Sequence, residues 1–242
     1  MSTDSADRQL LILKSFVEIA DMLSTEYEVG ELLQFLVDRT HQILDAGTVG
    51  VLLETPNGSL QLAAATSPEM ELIERAEMDS GEGPCMEAYR THRQVLAPDL
   101  RTDGDRWPKV SPRLLELGML SGYGFPLKLR DDCIGALNVY RYEAGPFDKE
   151  DLQIGQSLAD VAAIGILQQR RIVRAEDRAQ NLHHALESRI IIEQAKGVVA
   201  AKAGITPMEA FEELRRYARS HHLRIHDLSQ QVVDGTVPGK LS

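Results

Sequence analysis

The chain has few cysteines, few aromatic residues and no long hydrophobic run, and each shortage removes a class of protein. Only Cys85 and Cys133 are present in 242 residues, and they have no paired-ligand spacing. Neither a disulfide framework nor a zinc module is expected, and a reducing compartment follows. No segment approaches the ~18 uncharged apolar residues that span a bilayer. The opening residues Met1 to Asp7 are acidic and polar and lack the basic flank and apolar core of a secretory signal. A cytoplasmic location with no membrane partner is therefore expected. No phosphate-cradling loop, metal-ligand spacing or set of nucleophile, base and orienter is visible. No catalytic residue, metal or cofactor is assigned, and an enzyme is not expected.

What is present is an ordinary globular composition, 43% hydrophobic and 26% charged, with length for one large domain and a small one. Net charge is −11, which argues against nucleic acid until its distribution is read. From Asn181 to Ser242 eight Lys/Arg face seven Asp/Glu, whereas the preceding 180 residues carry 18 against 30. Five of the seven histidines also lie in that tail. A near-neutral tail permits RNA binding without demanding it.

Periodicity predicts helices over about residues 7–28 and 29–44. Thr48 to Glu54 and Leu60 to Ala65 form a hairpin about the Pro56-Asn-Gly-Ser59 turn, and Tyr123 to Leu129 pairs with Cys133 to Tyr140 about Arg130-Asp131-Asp132. A Gly/Pro-rich stretch from Gly81 to Pro112 reads as irregular. Helices flanking a mostly antiparallel sheet make this an α+β domain. Between Pro146 and Pro207 there is no proline. There Ile154, Leu158, Val161, Gly165, Gln168, Ile172, Ala175, Ala179, Leu182 and Leu186 step by four and three, a weak heptad seam that stutters to Ile190. One long helix, dimerising through its charged middle, is the reading; a plain bundle helix is the alternative.

The last sixty residues carry a three-helix pattern. Gly204 stops the first helix. Thr206, Pro207 and Glu209 make an N-cap, a first-turn proline and a capping box for the second. Its inward face is expected to be Met208, Phe211, Leu214 and Tyr217 or Ala218. A third helix spans about Ile225 to Asp234, with Leu228, Val232 and Val233 inward and Gly235 at its end.

Three blocks of this tail, Ser188 to Val199, Gly204 to Arg215 and Leu228 to Asp234, closely resemble the ANTAR domain over residues 183 to 238. The resemblance implies an RNA-binding antiterminator that stabilises a paired-hairpin element. It implies RNA contact for Arg189, Gln194, Lys196 and Gly197. Arg189 and Lys196 are seven apart, hence on one helix face, and Arg and Gln read unstacked base edges while Lys neutralises phosphate. Arg215, Arg216, Arg219 and Arg224, with His221 and His222, are a second cationic group. The alternative for both groups is a solvated face, with Arg189 paired to Glu193 and Arg216 to Glu212 or Glu213.

The segments Gly81-Glu-Gly-Pro-Cys85-Met-Glu-Ala, Asp99-Leu, Arg106-Trp-Pro108, Phe125-Pro-Leu127 and Ile134 to Val139 resemble a GAF domain over residues 10 to 168, of the actinobacterial kind that pairs GAF with ANTAR. A GAF pocket holds varied small effectors or none, so the fold does not name a ligand. Cys85, Trp107 and Phe125 are the candidate pocket residues. Cys85 is either a thiol activated by a helix N-terminus or a buried small hydrophobe. The phosphoacceptor pocket of a receiver domain is not visible. The expected organisation is a GAF domain over 1–168, a coiled-coil linker over 169–182 and an ANTAR domain over 183–242. The expected protein is a homodimeric antitermination regulator whose partners are tandem-hairpin RNA, a second copy of itself and a possible effector. The rival is a small-molecule or redox sensor whose C-terminal helices bind a protein.

Overall fold

The second helix of the chain, α2 (Val29–Ile43), shows how the sequence makes the core: Leu32, Leu33, Leu36, Val37, Thr40 and Ile43 recur at helical spacing and all are buried. The computed structural model describes residues 3–25 and 27–236. The chain divides into two units, Met1–Arg170 and Arg171–Ser242. The remaining elements are α1 (Thr3–Ser24), β1 (Thr48–Glu54), β2 (Leu60–Ala65), α3 (Pro68–Ser80), α4 (Pro84–Thr91), β3 (Val95–Ala97), α5 (Ser111–Glu116), β4 (Ser121–Leu129), β5 (Asp132–Arg141), α6 (Lys149–Ala203), α7 (Pro207–Ser220) and α8 (Ile225–Asp234). The first helix therefore runs four residues earlier at each end than its periodicity predicts, and Glu26, within the predicted span, lies outside the described residues.

In the first unit five antiparallel strands lie in the order β2-β1-β5-β4-β3. Strand alternation sorts the side chains into two cores. Val49, Val51 and Leu53 of β1, Tyr123, Phe125 and Leu127 of β4, and Leu137 and Val139 of β5 pack with α1, α2 and the start of α6. On the opposite face Leu52, Ala136 and Tyr140 pack with Met70, Ile73, Cys85, Ala88, Trp107 and Leu114. The stretch from Gly81 to Pro112 is thus not irregular throughout. It supplies α4, β3 and the start of α5, elements too short to show a period.

Glycines let the second layer approach the sheet. Asn138 on the central strand is flanked in register by Gly50 and Gly124. A Cβ on Gly124 would stand 2.5 Å from the carbonyl oxygen of Pro84.

One helix of 55 residues, α6, contributes to both units. The first half of the expected seam is used inside the first unit: Ile154 and Leu158 are core, Tyr27 donates to the Gly165 carbonyl at 2.9 Å, and a Cβ there would meet Leu23. From Ile172 onward the apolar positions are exposed, with Leu182 66%, Leu186 60% and Ile190 57% accessible. In the second unit Ala195, Val199, Ala210, Leu214, Ala218, Leu228 and Val232 form a small core. The capping box at Thr206 and Glu209 is complete, and Gly235 ends α8 in the left-handed region. The expected inward face of α7 needs correction. Met208 is 73% exposed and Phe211 only partly covered, because the small residues Ala210 and Ala218 let α7 pack closely on its other edge. On α8 Ser229 is buried while Val233 is half-exposed. Residues 237–242 of the expected C-terminal domain lie outside the described residues.

Candidate RNA-binding face and sensor core

On α6 the residues singled out from the sequence divide by face. Arg189 and Lys196 share one, while Gln194 lies about 140° round the helix from Arg189 at 3.6 residues per turn. Gln194 and Gly197 are neighbours three apart on that second face. Arg189 is exposed, and Glu193 pairs with Lys196 rather than with Arg189, at 2.8 and 2.9 Å. A Cβ on Gly197 would meet nothing within 4 Å, so no packing within the chain requires glycine there.

The Phe211 ring joins the two cationic groups. Lys196 Nζ lies 5.5 Å and the Arg215 guanidinium 5.7 Å from its centroid. The Lys196 side chain is only 18% exposed. Arg215 also reaches Glu212 at 3.3 Å, Arg216 pairs with Glu213, and Arg219 is exposed. At the end of α7 His221 stacks on Tyr217, with centroids 3.9 Å apart. Sequence reasoning placed Phe211 in the core and so missed its position between the cations. The usable signal was Lys196, Phe211 and Arg215 together on two adjacent helices.

In the first unit Cys85 and Trp107 lie in the same core, but Phe125 does not join them. It points to the other face of the sheet, against Gly155 of α6. The Trp107 indole donates to Glu87 at 3.0 Å and carries Arg106 at 4.4 Å from its ring. Cys85 is wholly buried beside two wholly buried carboxyls, Glu74 and Glu77. The backbone N–H groups of Cys85 and Met86 donate to Glu77 at 3.0 and 3.3 Å, and the Tyr140 hydroxyl donates to the same carboxyl. The Asn138 amide donates to Glu74 at 2.6 Å. Gly83, at φ +123°, is what lets the N-terminus of α4 sit on Glu77, since a Cβ there would stand 2.3 Å from the carboxyl carbon.

Burial pushes Glu77 up to about 7 against the hydrogen bonds it accepts, and pushes Glu74 well above the usual carboxylate range, with the Glu77 charge adding to the effect. Burial, then the two carboxyl charges, raises the Cys85 thiol as well. The same burial opposes any activation of the Cys85 thiol by the α4 N-terminus. An open cleft of about 330 Å³ lies elsewhere in this unit, lined by Arg8, Asp45, Arg141, Phe147, Asp148 and Asp151 among others. Among the described residues no helix is long and apolar enough to cross a membrane.

The family profile of the GAF domain matches residues 26–167, and that of the ANTAR domain matches 180–233. Comparison with curated proteins found no match. Among solved structures, the GAF domain of a phosphoenolpyruvate-protein phosphotransferase from Coxiella burnetii is similar at TM-score 0.55 and 18% identity, over 68% of this chain and 98% of that one. Free methionine-R-sulfoxide reductase from Neisseria meningitidis, in complex with its substrate, is similar at 0.53 and 18%, over 71% and 95%. The GAF domain of an Acinetobacter phosphoenolpyruvate-protein phosphotransferase is similar at 0.52 and 13%, over 71% and 98%. At these identities the likeness shows the fold alone. By its matched domains the chain belongs to the GAF domain family, with an ANTAR domain following the GAF domain.

Proposed function

We propose that this chain is a transcription antitermination regulator that acts as a homodimer on paired RNA hairpins, with its GAF domain sensing a small molecule or serving dimerisation. An ANTAR domain is an RNA-binding antitermination domain, and a GAF domain is a small-molecule-sensing domain; neither is catalytic. The observation that carries the reading is the Phe211 ring with Lys196 and Arg215 on it. An aromatic face with adjoining cations is what an unstacked loop base and its phosphates require. Arg189, Gln194, Arg216 and Arg219 extend the cationic and hydrogen-bonding surface, and Gly197 leaves backbone open to close approach. In the GAF domain Cys85 and Trp107 are the candidate pocket residues.

The homodimer rests on Ile172, Ala175, Ala179, Leu182, Leu186 and Ile190, which follow one another by three and four and leave their large side chains in solvent. A dimer carries two ANTAR domains, so the second hairpin of a pair binds at high effective concentration once the first is held. We assign the boundaries 1–168, 169–182 and 183–242 to the GAF domain, linker and ANTAR domain, and a cytoplasmic location to the protein. The exposed Met208 favours a second reading, a protein partner on α7.

Salt titration of RNA binding separates the two. Anisotropy of a labelled hairpin pair should show affinity falling steeply with salt, and Arg215→Ala should lower the log–log slope by about 1 for each phosphate that Arg215 neutralises. Salt-independent binding, or Met208→Ser costing more than Arg215→Ala, would favour the protein partner.

A further inference from the structure

Glu74 and Glu77 stand out as the fully buried charged side chains of the described residues, and no Lys, Arg or His is buried with them. Asn138 Oδ1, on a side chain with no exposure, has no hydrogen-bond partner. Out of water a carboxyl pair is held neutral by protons or compensated by a cation, and an orphaned carboxamide oxygen beside it needs a donor or a cation. Ligand atoms of Glu74, Glu77 and Cys85 all lie within 4.8 Å of one another. The Asn138 carboxamide is in the same place, donating to Glu74, and both Asn138 and Glu74 hydrogen-bond toward the Cys85 thiol.

We propose that Glu74, Glu77 and Cys85, completed by the carboxamide oxygen of Asn138, form a buried site for one divalent transition-metal ion of borderline softness, Zn²⁺ or Fe²⁺. The donor set selects for that class. One thiolate with three oxygens is too soft for Mg²⁺ or Ca²⁺ and too oxygen-rich for Cu⁺. Bond lengths of about 2.0 to 2.3 Å put the ligand atoms of a tetrahedral site about 3.3 to 3.8 Å apart, so small movements of Glu74, Glu77 and Cys85 bring those three onto one ion. On binding, the Cys85 thiol and any protonated carboxyl give their protons to solvent, and no electron transfer is involved. The second shell is already built. The Cys85 and Met86 N–H groups and the Tyr140 hydroxyl orient Glu77, and Gly50 and Gly124 beside Asn138 clear the space in which α3 and α4 approach. This deepens the sensing role proposed for the GAF domain and does not depend on RNA binding.

The test is metal content of the full chain, stripped with chelator, refolded with Zn²⁺ or, without oxygen, with Fe²⁺, and freed of excess by gel filtration. One equivalent per chain is expected with one of the two ions, none with Mg²⁺, and at least about tenfold weaker retention in Glu74→Gln and in Cys85→Ser. Co²⁺ gives a second reading that does not need those variants to fold. The wild-type chain should show a near-ultraviolet thiolate-to-Co²⁺ band that Cys133→Ser keeps. A folded wild-type chain with no Zn²⁺, no Fe²⁺ and no thiolate band overturns the proposal, as does retention unchanged in both variants. Because the readout is bound metal, an RNA-binding failure leaves it untouched, and the reverse holds too.

Discussion

Lys196 Nζ stands 5.5 Å from the centroid of the Phe211 ring, and the Arg215 guanidinium 5.7 Å from the same point. Phe211 is only partly covered, so its loss costs the small core little while removing the stacking surface. Phe211→Leu should weaken binding of a loop-bearing hairpin RNA by about 5- to 150-fold, since one base–aromatic stack contributes about 1 to 3 kcal/mol. Circular dichroism should show helix content unchanged. Anisotropy titration of the two proteins checks both statements.

Gly197 separates stability from function. With nothing within 4 Å of its missing Cβ, Gly197→Ala should stabilise the ANTAR domain by about 0.5 to 1 kcal/mol through helix propensity. If RNA backbone approaches there, the same substitution should lower affinity. Denaturant melts and RNA titrations moving in opposite directions are the expected pattern; unchanged affinity would remove Gly197 from the interface.

The start of α7 should be sensitive to acid. Thr206 donates from its backbone N–H and its hydroxyl to Glu209, both at 2.8 Å, and holds that carboxyl below the usual range. A folded-state value below the unfolded one means the contribution is present above the ordinary carboxylate pKa and is lost as pH falls through the lowered value. Thr206→Ala should cost about 1 kcal/mol at neutral pH and show a weaker acid dependence than wild type, read by melts between neutral and acid pH.

Leu182 and Leu186 are 66% and 60% exposed on the linking helix. Leu182→Glu with Leu186→Glu should convert a dimer into monomers in sedimentation equilibrium, because like charges at a heptad seam face each other unpaired. The change should leave the GAF domain's melting unaltered, since neither residue belongs to its core. A double variant that sediments as wild type would place any dimer contact elsewhere.

Both hairpins of the sheet and the capping box were legible because their chemistry is local: a Pro56-Asn-Gly-Ser59 turn, an Arg130-Asp131-Asp132 turn and Thr206 with Glu209 three on. The layer over the far face of the sheet was not, since α4, β3 and α5 are shorter than a period needs. Phe125 falls outside the expected pocket because a strand's alternation does not say which face is which until both cores are assembled. The buried carboxyls were missed for a related reason. Met70, Ile73, Glu74 and Glu77 occupy one helical stripe, and two glutamates in an apolar stripe are the trace such a cluster leaves. Met208 departs from its expected inward position because Ala210 and Ala218, small enough for close packing, outcompete the larger side chain for the interface.

The measurement closest to the central claim is a gel-shift titration of the full chain against an RNA with two adjacent small-loop hairpins, beside single-hairpin and loop-scrambled controls. Binding that needs both hairpins and their loop bases, and that Lys196→Ala together with Phe211→Leu removes, is the predicted result. Equal affinity for all three RNAs, or no binding even at low salt, would contradict it.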